Sequence, residues 1–240
     1  MGQTVQDESA QRVAVSRSVG TGESAIKTIF WDIGGVLLSN GWDRHQRARV
    51  LTPLGVDLAD YEPRHEVANY YWERGHIDAR SFFERTVFEQ KPRDFTFAEL
   101  WPRVCAESKV LHPGAFDILQ SLQGLRASGQ LKLATLNNES IELNEYRLDA
   151  FHLRSSFDFF VCSGYVHEMK PLADIYRAAI LISGQPASSA VFIDDKQENI
   201  DAARSHGMQG IRFESPEQLR LSLAELGLVL DMDCQVGHRL

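Results

Sequence analysis

Five short, nearly continuous apolar runs set the first limit on what this chain can fold into. They lie at 26–31, 131–136, 157–162, 190–193 and 210–213. A strand that is apolar on both faces is buried on both faces, whereas a sheet with one wet face alternates. The runs therefore predict a parallel sheet covered by helices on both sides, a doubly wound α/β fold. Helices are expected over 112–127, 139–150, 171–182, 196–206 and 216–226. Pro113, Pro171 and Pro216 stand where a first turn tolerates a missing N–H. Gly129, Gly184 and Gly207 follow helix ends, where a positive φ is useful.

The stretch between the first two runs is too long for a single crossover. Residues 42–108 carry several amphipathic patterns and many aromatics, among them Tyr61, Trp72, Phe82, Phe83 and Trp101, enough apolar surface for a small core of their own. The expected organisation is a leader at 1–22, an α/β core from 23–41 with 109–226, an inserted α-helical cap at 42–108, and a tail at 227–240. The leader is polar and lacks the apolar run of a secretory signal, so it reads as disordered.

Composition narrows the partners. A formal net charge of -8 with no Lys/Arg run argues against nucleic acid. No run of about 18 apolar residues offers a spanning helix, so no membrane partner is expected. Cys105, Cys162 and Cys234 are odd in number and lack C-x-x-C spacing, which points to free thiols in a reducing, cytoplasmic setting. The oligomeric state is not legible, because no heptad seam stands out.

In open α/β sheets, ligands bind outside the carboxyl ends of the strands. Asp32 follows the first run, Asn137 and Asn138 the second, Ser163 and Gly164 the third, and Asp194 and Asp195 the fourth. Asp32 leads into Gly34 and Gly35, which let backbone approach a ligand closely. Read alone, an Asp before two glycines serves equally well as a turn cap. Asp194 and Asp195 repel each other unless a cation or donors compensate. With Asp32 they make an oxygen-rich set suited to Mg²⁺. Helix capping would use one of the pair and leave the other unexplained. Lys170 precedes Pro171, which keeps its backbone extended and lets the side chain enter the site. There its ammonium would hold Asp32 ionised and neutralise an incoming anionic oxygen. A solvated surface lysine is the plain alternative.

Together Asp32, Asn137-Asn138, Lys170 and Asp194-Asp195 stand in the chain order and strand context of the haloacid dehalogenase superfamily. The chain resembles that superfamily over about 26–213, including an insert like the family's small helical cap on a Rossmann-like core. The resemblance implies a Mg²⁺-dependent hydrolase, a phosphatase of a small phosphorylated metabolite. Asp32 would be the nucleophile, forming an aspartyl-phosphate that water then hydrolyses. Mg²⁺ would be held by the Asp32 carboxylate, the Gly34 main-chain carbonyl and Asp194, with Asp195 as a direct or indirect partner. Lys170 would bridge Asp32 and phosphate, while Asn137 and the backbone of Asn138 would donate to phosphate oxygens.

The chain departs from the family pattern twice. Where the family's phosphatases carry an acid/base two residues after the nucleophile, this chain has Gly34, and general acid–base catalysis contributes about 10²- to 10⁴-fold. A good leaving group, such as an anomeric sugar phosphate, would need little protonation. A substitute acid from the insert is the next explanation, with His45, Glu73, Arg74 and His76 as candidates. Asn137 stands where the family usually has Ser or Thr, an amide donor in place of a hydroxyl. Two other readings remain open: a metal-independent 2-haloacid dehalogenase, and a weak or inactive ligand-binding member of the fold.

Overall fold

Strand β1, Thr28–Trp31, lies at the centre of a parallel five-stranded sheet ordered β3-β2-β1-β4-β5, with β2 at Lys132–Asn137, β3 at Phe159–Cys162, β4 at Ala190–Asp194 and β5 at Gln209–Arg212. The structure is a computed structural model that describes residues 25–228 and residue 230. Successive side chains of a strand face opposite ways, and both directions are filled. Ile29 and Trp31 join Leu133, Val191 and Ile193 in one buried cluster. Phe30 joins Ala134, Leu136, Val161 and Phe192 in another. This two-sided burial is why the strands read as continuous apolar runs.

Helices cover both faces. On the first, α5 (Pro113–Ser121) contributes Ile118 and Leu119, and α11 (Pro216–Glu225) contributes Leu219 and Leu223; α7 (Ile141–Ala150) adds Leu148. On the second, α9 (Ala173–Ser183) contributes Ile175 and Tyr176, and α10 (Gln197–Ser205) contributes Ile200 and Ala203. Gly129, Gly184 and Gly207 all take positive φ past helix ends, as expected.

The elements depart from expectation most in three places. The helix expected over 112–127 breaks at Leu122 into α5 and α6 (Gln123–Ala127), with Gly124 just past the break, where helix propensity is low. The helix expected from Pro171 starts at Ala173, because a Leu172 N–H to Met169 carbonyl bond first turns the chain, with a cis Lys170–Pro171 peptide inside that turn. A short helix, α8 (Ser163–Val166), follows β3 directly, and no apolar periodicity announces it.

Between β1 and β2 run α1 (Arg44–Leu51), α2 (Leu58–Trp72), α3 (Ala79–Phe83) and α4 (Phe97–Cys105), with a π turn at Glu84–Phe88 after α3. Asp43, Asp57 and Asp78 accept from first-turn N–H groups and start the first three. Trp42, Leu51, Tyr61, Trp72, Phe82, Phe83 and Leu100 form a separate buried cluster, in which Trp72 and Phe82 stack at 4.2 Å. The two strands of chain joining this insert to the sheet run side by side, Ser39 N–H donating to the Lys109 carbonyl at 2.8 Å and Leu111 N–H to the Leu37 carbonyl at 3.0 Å.

Among the described residues no helix is long and apolar enough to cross a membrane. Cys105 and Cys162 are buried free thiols. The expected leader, Cys234 and most of the expected tail lie outside the described residues.

Candidate active site

The carboxyl ends of β1, β2 and β4 deliver the polar residues singled out above to one edge of the sheet. Asp32 follows β1, its N–H bonded to the Ile193 carbonyl at 2.9 Å, which continues the β1–β4 pairing one residue past the strand. Its Oδ1 accepts from the Ile33 N–H at 2.8 Å, leaving Oδ2 for the site. Oxygens of Asp32, Asp194 and Asp195 all lie within 4.8 Å of one another.

Lys170 sits between two of these carboxylates. Its Nζ is 3.0 Å from Asp32 Oδ2 and donates to Asp194 Oδ2 at 2.7 Å, and it is buried with them. The lysine reaches in because Asn138 fixes its backbone, accepting from its N–H and donating to its carbonyl. Asp194 is saturated: the Lys196 N–H donates to Oδ1 at 2.8 Å, and Asn199 Nδ2 lies 3.0 Å from each oxygen. Asp195 differs, because its Oδ1 is buried and has no partner.

The charges divide the same way. Burial alone would raise the Asp194 pKa, but Lys170, the Lys196 N–H and Asn199 outweigh it and hold the carboxyl below its usual range. Burial would lower Lys170, yet Asp32 and Asp194 raise it above an ordinary lysine. For Asp32, burial pushes the carboxyl well above its usual range; Lys170 opposes this and Asp194 adds to it. Asp195 is raised by burial and then by Asp194. Lys170 and Asp194 thus form a settled ion pair, whereas Asp32 and Asp195 are charges in need of a cation. An all-oxygen donor set with one orphaned buried oxygen fits a hard divalent ion.

Gly35 makes room for this arrangement. At φ +81° it occupies backbone space that favours glycine, and a Cβ there would lie 2.5 Å from Asp195 Oδ2.

Asp32, Gly34, Asn40, Gly41, Asn137, Asn138, Arg147, Lys170, Lys196 and Asn199 line a cavity of about 50 Å³, room for a few waters or a phosphoryl group. A wider cleft of about 730 Å³ opens on the insert beside Arg44 and Glu62, away from the carboxylates, and carries no comparable chemistry. Asn137 lines the small cavity, but its Nδ2 donates to Asn144 Oδ1 at 3.0 Å, and its buried Oδ1 lacks a partner. None of the four candidate acids lines it. His45 is exposed on α1, and Arg74 is buried over the Tyr70 ring at 3.9 Å. His76 stacks on His167 at 5.2 Å. Glu73 is half-buried past the end of α2, with its carboxyl raised by burial despite Asn69, Lys196 and Arg74.

Asn40, Arg147, Lys196 and Asn199 are site residues that sequence reasoning missed. Asn199 had a faint signal, lying five residues after Asp194 in the first turn of α10. Arg147 had none, since a charge within an amphipathic helix ordinarily reads as a solvated face.

A family model described as haloacid dehalogenase-like hydrolase matches residues 26–207. The chain is 26% identical over 205 residues to drimenol cyclase drtB of Aspergillus calidoustus, a match covering 84% of the chain and 36% of that protein. It is 27% identical over 172 residues to the chloroplast protein flavin mononucleotide hydrolase 1 of Arabidopsis thaliana, covering 70% and 65% respectively. The matched region thus spans less than two thirds of either relative's length. A solved structure of a HAD family enzyme from Bacteroides thetaiotaomicron, in complex with magnesium and inorganic phosphate, has a TM-score of 0.65 at 18% identity and covers 79% of this chain and 95% of its own. At that identity the likeness is one of fold.

Proposed function

The chain belongs to the haloacid dehalogenase-like hydrolases, and on that footing we propose that it is a Mg²⁺-dependent phosphatase of a small phosphorylated metabolite, a sugar phosphate foremost. The observation that carries this is the convergence of Asp32, Asp194 and Asp195 around Lys170, with one buried Asp195 oxygen left without a partner.

In this reading Asp32 is the nucleophile, and Asp32, Asp195 and the Gly34 carbonyl would hold the ion directly, with Asp195 taking the place expected of Asp194. Asp194, whose oxygens are already filled by Lys170, Lys196 and Asn199, supports it from behind and anchors Lys170. Bound Mg²⁺ would supply positive charge to the phosphoryl oxygens. The Asp32 carboxylate attacks phosphorus; Lys170 opposes the effect of burial on that carboxyl, a bound cation would complete its ionisation, and Lys170 faces the incoming oxygens. Asn138 positions Lys170, and Asn137 lines the cavity that the phosphate would enter. Residues 42–108 serve as the cap that closes over the site and selects the substrate. The buried free thiols Cys105 and Cys162 support a reducing, cytoplasmic setting.

The test is phosphate release from a panel of sugar phosphates, nucleotides and acyl phosphates, with and without Mg²⁺, for the wild type and Asp32→Asn. Mg²⁺-dependent release that the variant loses is expected. Full activity in a contaminant-free Asp32→Asn preparation would remove Asp32 from its role. Metal-independent 2-haloacid dehalogenation is disfavoured by the unpartnered Asp195 oxygen, and EDTA-resistant chloride release would reverse that ranking. A ligand-binding protein without turnover is the reading that the departures at Gly34 and Asn137 permit; binding without release across the panel would establish it.

A further inference from the structure

The space beside Gly34 is already faced by a buried guanidinium, that of Arg147, which is ion-paired with Glu139. A Cβ built on Gly34 would find Asn40 Oδ1 at 3.3 Å and Arg147 Nη1 at 3.9 Å. An acid side chain at this position would therefore end against the Arg147 guanidinium. Arg147, on α7, is buried, and two hydrogen bonds and an ion pair hold it in place. Its Nε donates to Ser108 Oγ at 3.1 Å, its Nη2 donates to the Ser39 carbonyl at 3.0 Å, and its Nη1 lies 3.1 Å from Glu139 Oε2. Ser39 and Ser108 belong to the two chain segments that join the insert to the sheet, so the arginine is tied to both. A guanidinium has five N–H donors, and these contacts use three, leaving one hydrogen on Nη1 and one on Nη2. Arg147 lines the same cavity as Asp32, Asn137 and Lys170.

We propose that Arg147 is a catalytic residue that holds the leaving-group oxygen by charge and hydrogen bonding, where a residue-34 acid would protonate it, and so confines turnover to phosphates whose leaving group departs unprotonated. The class comprises acyl, aryl and anomeric phosphates, as opposed to simple alkyl monoesters. The proposal rests on the phosphatase reading above. In the step concerned, an Asp32 oxygen bonds to phosphorus and the bond from phosphorus to the leaving oxygen breaks. Its electron pair stays on that oxygen, which the Arg147 N–H binds as an anion. The proton arrives afterwards from water, because a guanidinium does not give one up. Gly34 and Arg147 are complementary in this account: a carboxyl placed at 34 against Arg147 would be held ionised and unable to act as an acid.

The test measures kcat/KM, with Mg²⁺, for p-nitrophenyl, phenyl and ethyl phosphate on the wild type, Arg147→Lys and Gly34→Asp. The ratio kcat/KM is chosen because it reports the step that expels the leaving group. Wild-type values should fall steeply along that series. Arg147→Lys, which keeps a charge without the planar fork, should lose about 10²-fold, with the loss growing as the leaving group worsens. That slope would not change if Arg147 merely supported the fold. Gly34→Asp should gain nothing on ethyl phosphate. A wild-type series indifferent to leaving group, an undiminished Arg147→Lys, or ethyl phosphate turnover gained by Gly34→Asp would each overturn the proposal while leaving the phosphatase reading intact. If Arg147→Lys fails to fold, the wild-type series and Gly34→Asp decide. No release from any ester or from acetyl phosphate would overturn the phosphatase reading and this proposal with it.

Discussion

The side-chain amide of Asn138 clasps the backbone of Lys170 at two points, its Nδ2 donating to the Lys170 carbonyl and its Oδ1 accepting from the Lys170 N–H, each at 2.9 Å. The clasp joins the end of β2 to the turn before α9 and fixes where the lysine side chain begins. Asn138→Leu removes both bonds and leaves a buried N–H and carbonyl unpaired. Because small displacements of a positioning group cost about 10²-fold in rate, kcat for phosphate release should fall by about that factor with less change in KM. A variant as active as the wild type would show that Lys170 needs no clasp.

Gly35→Ala tests the neighbouring constraint. The φ of +81° alone costs a side-chain-bearing residue roughly 1–2 kcal/mol, and the new methyl would displace Asp195 from 2.5 Å away. The variant should melt at a lower temperature than the wild type and should lose most of the rise in Tm that MgCl₂ gives the wild type. Melting curves with and without MgCl₂ check both. A full Mg²⁺ response in Gly35→Ala would separate Asp195 from the ion.

These sites were unevenly legible in the sequence, for physical reasons. The strands were legible because Ile29 and Trp31 bury one way and Phe30 the other, so that burial is written into consecutive residues. Asp32, Asp194 and Asp195 were legible because each ends such a run. Arg147 was not, since its partners Ser39 and Ser108 lie 108 and 39 residues away and no local period records a contact of that range. Pro171 misled for a related reason: a proline suits a first helical turn, but here the clasp on Lys170 and the Leu172 to Met169 bond use the chain for a turn first.

Lys170→Met should separate the pair's structural role from its catalytic one. The ammonium lies 3.0 Å from Asp32 and 2.7 Å from Asp194, all three buried. Removing one partner of a buried ion pair costs about 3–5 kcal/mol, because the carboxylates are left uncompensated. Urea unfolding at neutral pH should show a loss of that order, together with loss of phosphate release. The deficit should shrink as the pH falls and the abandoned carboxylates take up protons. A deficit that did not change with pH would mean that the lost methylene packing, not the charge, had been holding the site.

His65 gives the insert a pH dependence of its own. Buried among Tyr61, Phe82 and Arg47, it has its pKa lowered to about 4 from 6.5, first by burial and then by Arg47, with Glu62 opposing. The folded state therefore refuses a proton that the unfolded chain accepts below about 6.5. Stability from the neutral ring is fully present above that pH and is lost as the pH falls towards 4. A depression of this size corresponds to about 3 kcal/mol. His65→Gln does not titrate, and apart from Glu62, whose carboxyl His65 itself helps to lower, the titrations of the other groups are common to both proteins and cancel in the difference. The stability of the wild type relative to His65→Gln, from urea unfolding between pH 8 and pH 4, should decline by an amount of that order across the acid half of the range. A difference that stayed constant with pH would mean that His65 is protonated in the fold as readily as out of it, and that the Tyr61 and Phe82 rings do not exclude its charge.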